Sequence, residues 1–238
     1  MSNPIFLSRL TPDLRSRDAR RDVSDCVAMH KTLMRAFPDG LSTSGTARSE
    51  AGLLYRLEKA PNRIIAVLVQ SELPPDWTHL PTNWNSSAQP PETKEITEAL
   101  GNIGDGATLR FKLLANPTRK IGTKSAPDGT KNNGKRVELR TEPEWLQWLE
   151  RKAQQSGFHL KSVQAAAHVA DVQSGRDLKS TGIKLRQDGA TTRVTFSGVN
   201  FEGRLEVIDQ TLFQTCLHTG IGPGKAFGYG LLSLARGD

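Results

Sequence analysis

The chain has 238 residues and 36% hydrophobic content, enough for one large domain or two smaller ones with packed cores, so disorder is not the default. A formal net charge of +7 and a sequence pI of about 9.6 suit a polyanionic partner, with nucleic acid the commonest, although a generically basic surface has the same balance. Cys26 and Cys216 form no CxxC pair, which excludes a disulfide framework, and no apolar run approaches the ~20 residues that span a bilayer, so a cytoplasmic protein with no membrane partner is expected.

Residues 4–10 (PIFLSRL) read as a first strand. A charged stretch follows, and residues 24–37 then have the pattern of an amphipathic helix stopped by Pro38, Asp39 and Gly40. Residues 52–57 and 63–70 flank the turn-prone Ala60-Pro61-Asn62 and predict a β-hairpin. Five prolines and two tryptophans between residues 71 and 91 mark an irregular surface excursion. Residues 93–100 suit helix or strand, and residues 108–115 (TLRFKLLA) alternate like another strand.

Composition changes after Asn116-Pro117. Seven cations fall within residues 119–140 (Arg119, Lys120, Lys124, Lys131, Lys135, Arg136 and Arg140), with glycines and asparagines between them and little to bury. A basic loop or hairpin is predicted. Thr141, Pro143 and Glu144 then open a helix with a capping box, followed by Trp145, Trp148 and Leu149 at helical spacing. Strands are expected around residues 163–172, 192–199 and 201–208, a helix at 209–218 and a last strand at 229–235. With a strand near residues 136–140, this order gives two tandem ferredoxin-like β-α-β-β-α-β domains, an α+β fold. The expected division is a first domain at 1–118, a basic segment at 119–135 and a second domain at 136–238.

Residues 220–230 (GIGPGKAFGYG) contain Gly220, Gly222, Gly224, Gly228 and Gly230 around Lys225. Thr219 stands where a phosphate-binding Walker loop needs glycine, and Ala226 where it needs a hydroxyl; the helix-then-strand order also excludes a dinucleotide fingerprint. What remains is a loop whose backbone approaches a phosphate closely, or a tight turn with a packing role. On a helical wheel His30 falls beside Cys26, Val27, Leu33, Met34 and Phe37, which suits a histidine at the edge of the core.

The stretch GIGPGKAFGYGLLSLA resembles the C-terminal glycine-rich signature of the CRISPR repeat-processing endoribonucleases, and its GLLSLA ending that of the CasE subtype of type I-E Cascade. HKTLMRAFP, from His30 to Pro38, and RFKLLANPTRK, from Arg110 to Lys120, resemble two further motifs of that family, in the same order. The resemblance spans nearly the whole chain. It implies that His30 is catalytic, in the cleft between the two ferredoxin-like halves. It also implies metal-independent cleavage with no cofactor, in which the 2′-OH attacks the adjacent phosphorus to leave a 2′,3′-cyclic phosphate and a 5′-OH. A histidine titrating near neutrality suits that proton transfer.

Lys31 matches a position that is basic in the family. Lys179, Lys184 and Arg186 fall in a loop that the family places near the scissile phosphate, and Lys184 is expected to supply the second cation. Family members commonly carry a tyrosine three residues before the histidine; here Val27 stands there, and Tyr55 is a candidate replacement. The basic segment, with Arg35 and Lys225, is expected to grip the repeat hairpin, which becomes the 3′ handle of the crRNA. The implied partners are this RNA and the other Cascade subunits, the backbone above all, with target DNA met only through the complex. Two alternatives stand beside this reading: a Cascade scaffold that binds the hairpin without cutting it, and an RRM-like module for single strands, which 6% aromatics without an RNP-like run disfavours.

Overall fold

The computed structural model describes residues 3–41, 47–59, 65–121, 135–167, 180–185 and 191–237. The first half contains β1 (Phe6–Leu10), α1 (Arg17–Ser24), α2 (Cys26–Met34), the single turn α3 (Ala47–Glu50), β2 (Leu54–Lys59), β3 (Ile65–Ser71), β4 (Glu92–Glu95) and α4 (Thr97–Gly101). The second half contains β5 (Thr108–Ala115), β6 (Thr118–Ile121), β7 (Lys135–Glu138), α5 (Glu142–Gln155) and β8 (Phe158–Ala167). It continues through β9 (Ser180–Leu185), β10 (Thr191–Phe196), β11 (Val199–Val207), α6 (Gln210–Thr219) and β12 (Leu232–Arg236).

The first sheet has the order β2-β3-β1-β4, all antiparallel, and the second the order β12-β5-β11-β8, also all antiparallel. Counted from β5, the second sheet has its strands in the same sequence as the first, so the fold is the tandem ferredoxin-like architecture that the sequence predicts. The expected break at residue 118 does not follow the sheets. The strand at residues 108–115, expected to close the first half, is β5; its Phe111, Leu113 and Ala115 pack into the second core with Phe201, Leu205 and Phe213. Nor does a strand near residues 136–140 open the second half. That segment is β7, which pairs with β6 in a separate hairpin, Thr118 opposite Glu138 and Ile121 opposite Lys135. Strand alternation shows that a segment is extended, not which sheet it joins.

The charged stretch before the expected first helix is itself helical. In α1, Ala19 is fully buried and Asp22 is 1% exposed, its carboxylate accepting from Trp84 Nε1 at 2.8 Å and pairing with Arg21 at 2.8 Å. Asp25 is extended and ends α1; its side chain then caps α2 by accepting from the Val27 and Ala28 amides at 2.8 and 2.9 Å. The helix expected at 24–37 is therefore shorter, with its start fixed by that cap. In the first unit, the helix of a regular ferredoxin-like fold between β3 and β4 gives way to a single 3-10 turn at Trp77–His79 and irregular chain held by buried Trp84.

The two units are fastened by polar contacts. Gln70 Nε2 donates to the Leu217 carbonyl at 2.7 Å, buried, and the guanidinium of Arg56, 3% exposed, donates to the Leu231 carbonyl at 3.2 Å. His218 Nδ1 meets Glu72 Oε1 at 3.0 Å. These contacts set β2 and β3 of the first sheet against α6 and the glycine-rich connection before β12.

Candidate active site

His30 lies half-buried on α2, and its Nδ1 is one of two buried side-chain nitrogen or oxygen atoms without a hydrogen-bond partner among the described residues. Burial pushes its pKa down to about 4, and the positive charge of Arg48 adds to the effect. The ring is therefore neutral at neutral pH. Arg48, on α3, is half-buried, and its guanidinium donates to the Leu53 carbonyl at 2.9 Å and to Ser49 Oγ at 2.9 Å. Sequence reasoning misses this residue: a lone arginine in a Ser/Thr/Gly-rich stretch carries no local sign that it will stand near His30.

The glycine-rich loop closes on the same place. Residues Lys225–Phe227 form a 3-10 turn between Gly224 and Gly228, both left-handed, and the other three glycines of the loop also have positive φ. Gly228 needs to be glycine, since a Cβ there would sit 3.1 Å from the Tyr55 ring at φ +88°. The single Tyr55 hydroxyl hydrogen is shared between the Cys26 carbonyl of α2 at 3.1 Å and the Ala226 carbonyl of the turn at 3.4 Å. Burial holds this phenol well above its usual pKa, so it stays a donor. Lys225 is half-buried beside it, its amine pushed below the usual lysine range by burial and then by Arg48. The loop thus serves packing through its glycines and brings Lys225 toward α2.

The hairpin of β9 and β10 covers the start of α2. A Cβ on Gly182 would lie 2.6 Å from Val27 Cγ2 and 2.8 Å from Asp25 Oδ1, so β9 rests directly on the helix cap. The sequence reading has a loop here; instead, residues 180–185 form a strand paired with β10, Lys184 opposite Thr192. Lys184 and Lys135 are described by their backbone alone, and Lys124, Lys131, Lys179 and Arg186 lie outside the described residues. Lys31 and Arg35 are exposed on and just after α2.

Arg119 and Lys120 on β6 and Arg136 on β7 are exposed, and Arg136 braces the hairpin by donating to Thr118 Oγ1 at 3.2 Å. At the base of this hairpin runs a groove of about 690 Å³ lined by Asn116, Arg119, Arg136, Arg140, Phe196 and Pro223. Phe196 stacks on Phe227 at 4.7 Å between ring centroids, and Ala226, next to Phe227, accepts from Tyr55. A chain of contacts therefore leads from the basic hairpin, through the groove and the glycine-rich turn, to α2. Among the described residues, no group of three or more His, Cys, Asp or Glu side chains is arranged to hold a metal ion.

The family described as CRISPR associated protein matches residues 5–236. The chain is 36% identical over 234 residues to the CRISPR-associated endoribonuclease Cse3 of Thermus thermophilus, covering 97% of this chain and 100% of that protein. It is also 36% identical over 134 residues to the Cascade subunit CasE of Escherichia coli, covering 55% of this chain and 59% of that protein. A solved structure of Thermus thermophilus Cse3 bound to an RNA representing a pre-cleavage complex superposes with a TM-score of 0.69 at 32% identity, covering 98% of this chain and 100% of that one.

Proposed function

The chain belongs to the CRISPR-associated protein family of Cse3 and CasE, and from that premise we propose that it is an endoribonuclease that processes CRISPR repeat RNA and keeps the product as a subunit of a Cascade complex. The observation that carries the reading is His30: a neutral imidazole with an unpartnered ring nitrogen, on a capped helix, where the glycine-rich turn brings in a lysine. A neutral imidazole can accept a proton. The substrate's 2′ oxygen bonds to the adjacent phosphorus while its proton passes to His30. The P–O5′ bond breaks, the 5′ oxygen takes up a proton, and the products are a 2′,3′-cyclic phosphate and a 5′-OH. No step needs a metal ion.

Nearby cations stabilise the charge on the phosphorane. Lys31 and Lys184 complete the catalytic set in this reading. The basic β6–β7 hairpin, including Lys124, Lys131 and Lys135, holds the phosphates of the repeat hairpin, with Arg35, Lys179, Arg186 and Lys225 extending the track. The first ferredoxin-like unit carries the catalytic helix, and the second supplies the hairpin and the glycine-rich loop.

The test is cleavage of the cognate repeat RNA in EDTA by the wild type and by His30→Ala. A cut 3′ of the hairpin with a cyclic phosphate end, lost in His30→Ala, is the expected result. Tight binding without cleavage by either protein would favour the non-cutting scaffold, with the buried Val27 in place of a hydroxyl as its cause. Magnesium-dependent cleavage indifferent to His30 would move the active site elsewhere.

A further inference from the structure

We propose that the groove at the base of the β6–β7 hairpin is a pocket for one unpaired nucleobase of the repeat RNA, read by the side-chain amide of Asn116. The proposal rests on the repeat-binding reading above and adds a specificity-determining residue to it. The groove, of about 690 Å³, falls within the roughly 300–1,000 Å³ that small-ligand pockets span. Asn116 lines it yet is only 5% exposed, and its Oδ1 is buried with no hydrogen-bond partner. The other such atom among the described residues is His30 Nδ1, in the candidate active site. A buried amide oxygen without a donor costs free energy that is recovered when a donor reaches it. The partner it calls for is an N–H group, which a nucleobase edge carries and a phosphate does not.

Asn116 is held where the second sheet meets the hairpin. Just before it β5 ends, with Ala115 opposite Val199, and just after Pro117 β6 begins, with Thr118 opposite Glu138. The Leu139 amide donates to the Pro117 carbonyl at 3.0 Å, and Trp145 Nε1 to the Leu139 carbonyl at 2.8 Å. The backbone is thus fixed, while the terminal torsion of an asparagine is soft, so the amide can turn its oxygen to a base in the groove. Phe196, half-buried on the wall and backed by Phe227 at 4.7 Å, offers that base a ring to lie against. Both carboxylates of the lining are already engaged. Glu138 accepts from the amide and hydroxyl of Ser197 at 3.1 and 2.9 Å, and Glu144 from the Arg140 and Thr141 amides at 3.1 and 3.2 Å. Arg119, Arg136 and Arg140, also in the lining, form no ion pair among the described residues, which leaves their charge for the phosphates of the nucleotide. Bases inside a stem have their edges paired, so a base read in this way is splayed out, the usual target of sequence-specific RNA recognition. With the β6–β7 hairpin on the stem, that nucleotide is an unpaired one beside it.

The experiment measures binding of the cognate repeat, made uncleavable by a 2′-deoxy residue at the cut, with each unpaired nucleotide replaced in turn by an abasic one. Wild type, Asn116→Leu and Asn116→Ala are compared. At one position the abasic residue should weaken binding by the wild type about tenfold, the scale of one base that is both hydrogen-bonded and stacked. In either variant the same replacement should cost less than about threefold, because the partner of that base is already gone. Asn116→Leu keeps the shape of the side chain and removes the unpartnered oxygen, so its Tm should be no lower than that of the wild type, which a purely structural asparagine would not give. An abasic penalty of about tenfold that persists in both variants would overturn the proposal, as would a scan in which no unpaired position costs the wild type more than about threefold. If Asn116→Leu does not fold, Asn116→Ala carries the binding readout. A wild type that binds the repeat without cutting it would refute the endoribonuclease reading and leave this coupling standing, whereas one that does not bind the repeat would refute both.

Discussion

The Tyr55 hydroxyl donates to the Cys26 carbonyl at 3.1 Å, one helical turn before His30 on the same helix. Its second acceptor, Ala226, belongs to the turn that carries Lys225, so one phenol couples β2, α2 and the glycine-rich loop. That commitment keeps the phenol's hydrogen on backbone carbonyls, and burial holds its pKa well above the usual value, so Tyr55 places the helix as a donor. Tyr55→Phe keeps the packing and removes both bonds. It should cost about 1 kcal/mol of stability, read by urea unfolding, because a net intramolecular hydrogen bond contributes about that much. Cleavage should slow by about tenfold while hairpin affinity holds, since small misplacements of a catalytic group are amplified in the rate.

Local features are readable in the sequence, and tertiary ones are hidden. Thr141, Pro143 and Glu144 announce α5 because a capping box is complete within four residues, and in the structure the Glu144 carboxylate accepts from the Thr141 amide at 3.2 Å and the Thr141 hydroxyl at 3.1 Å. The glycine run announces a sharp backbone turn for the same reason. By contrast, α1 escapes a sequence reading because its buried face includes Asp22, whose burial depends on Trp84, 62 residues away. The strand β9 is hidden because Gly182 and its polar neighbours read as loop, while their partner is α2. Arg48 is invisible for a similar reason. A four-residue turn has no periodicity, and only the folded chain sets it near His30.

The basic hairpin should govern the salt dependence of RNA binding. Arg119 and Lys120 are exposed and, among the described residues, form no ion pair, so each is free to displace a counterion. Arg119→Ala or Lys120→Ala should each reduce the slope of log K against log salt by about 1. Arg136→Ala should do the same and also loosen the hairpin, because its guanidinium braces Thr118. Filter binding of the repeat hairpin between low and high salt reads the slopes; unchanged slopes would remove the β6–β7 hairpin from the interface.

Contact between β9 and the cap of α2 leaves no room for a side chain at Gly182. A methyl there would come within 3.0 Å of the Val27 amide nitrogen, 2.8 Å of Asp25 Oδ1 and 2.6 Å of Val27 Cγ2. Two of these atoms belong to the capping hydrogen bond itself. Gly182→Ala should therefore shift either the hairpin or the helix start and slow single-turnover cleavage by about tenfold or more, with affinity for the repeat hairpin little changed. Val27→Ala, which opens space under the strand, should restore part of the rate in the double variant. A fully active Gly182→Ala protein would mean that β9 does not position the catalytic helix.

His30 also ties stability to pH, with a definite sign. Its pKa lies at about 4 in the folded chain against an ordinary value of 6.5, so between these limits the unfolded chain binds a proton that the folded chain does not. Folding stability therefore falls as pH drops from 6.5 toward 4, and is unaffected by this group at higher pH. Burial, the larger cause, and the Arg48 charge both act against the imidazolium. Discounted for partial exposure, the effect is on the order of 2 kcal/mol. His30→Gln cannot take up the proton. Urea unfolding of both proteins at about pH 7.5 and about pH 5 should then show the variant gaining on the wild type in acid by about 1–2 kcal/mol. Parallel curves would mean that His30 is already solvated and titrates normally, and its neutral state at working pH would lose its physical basis.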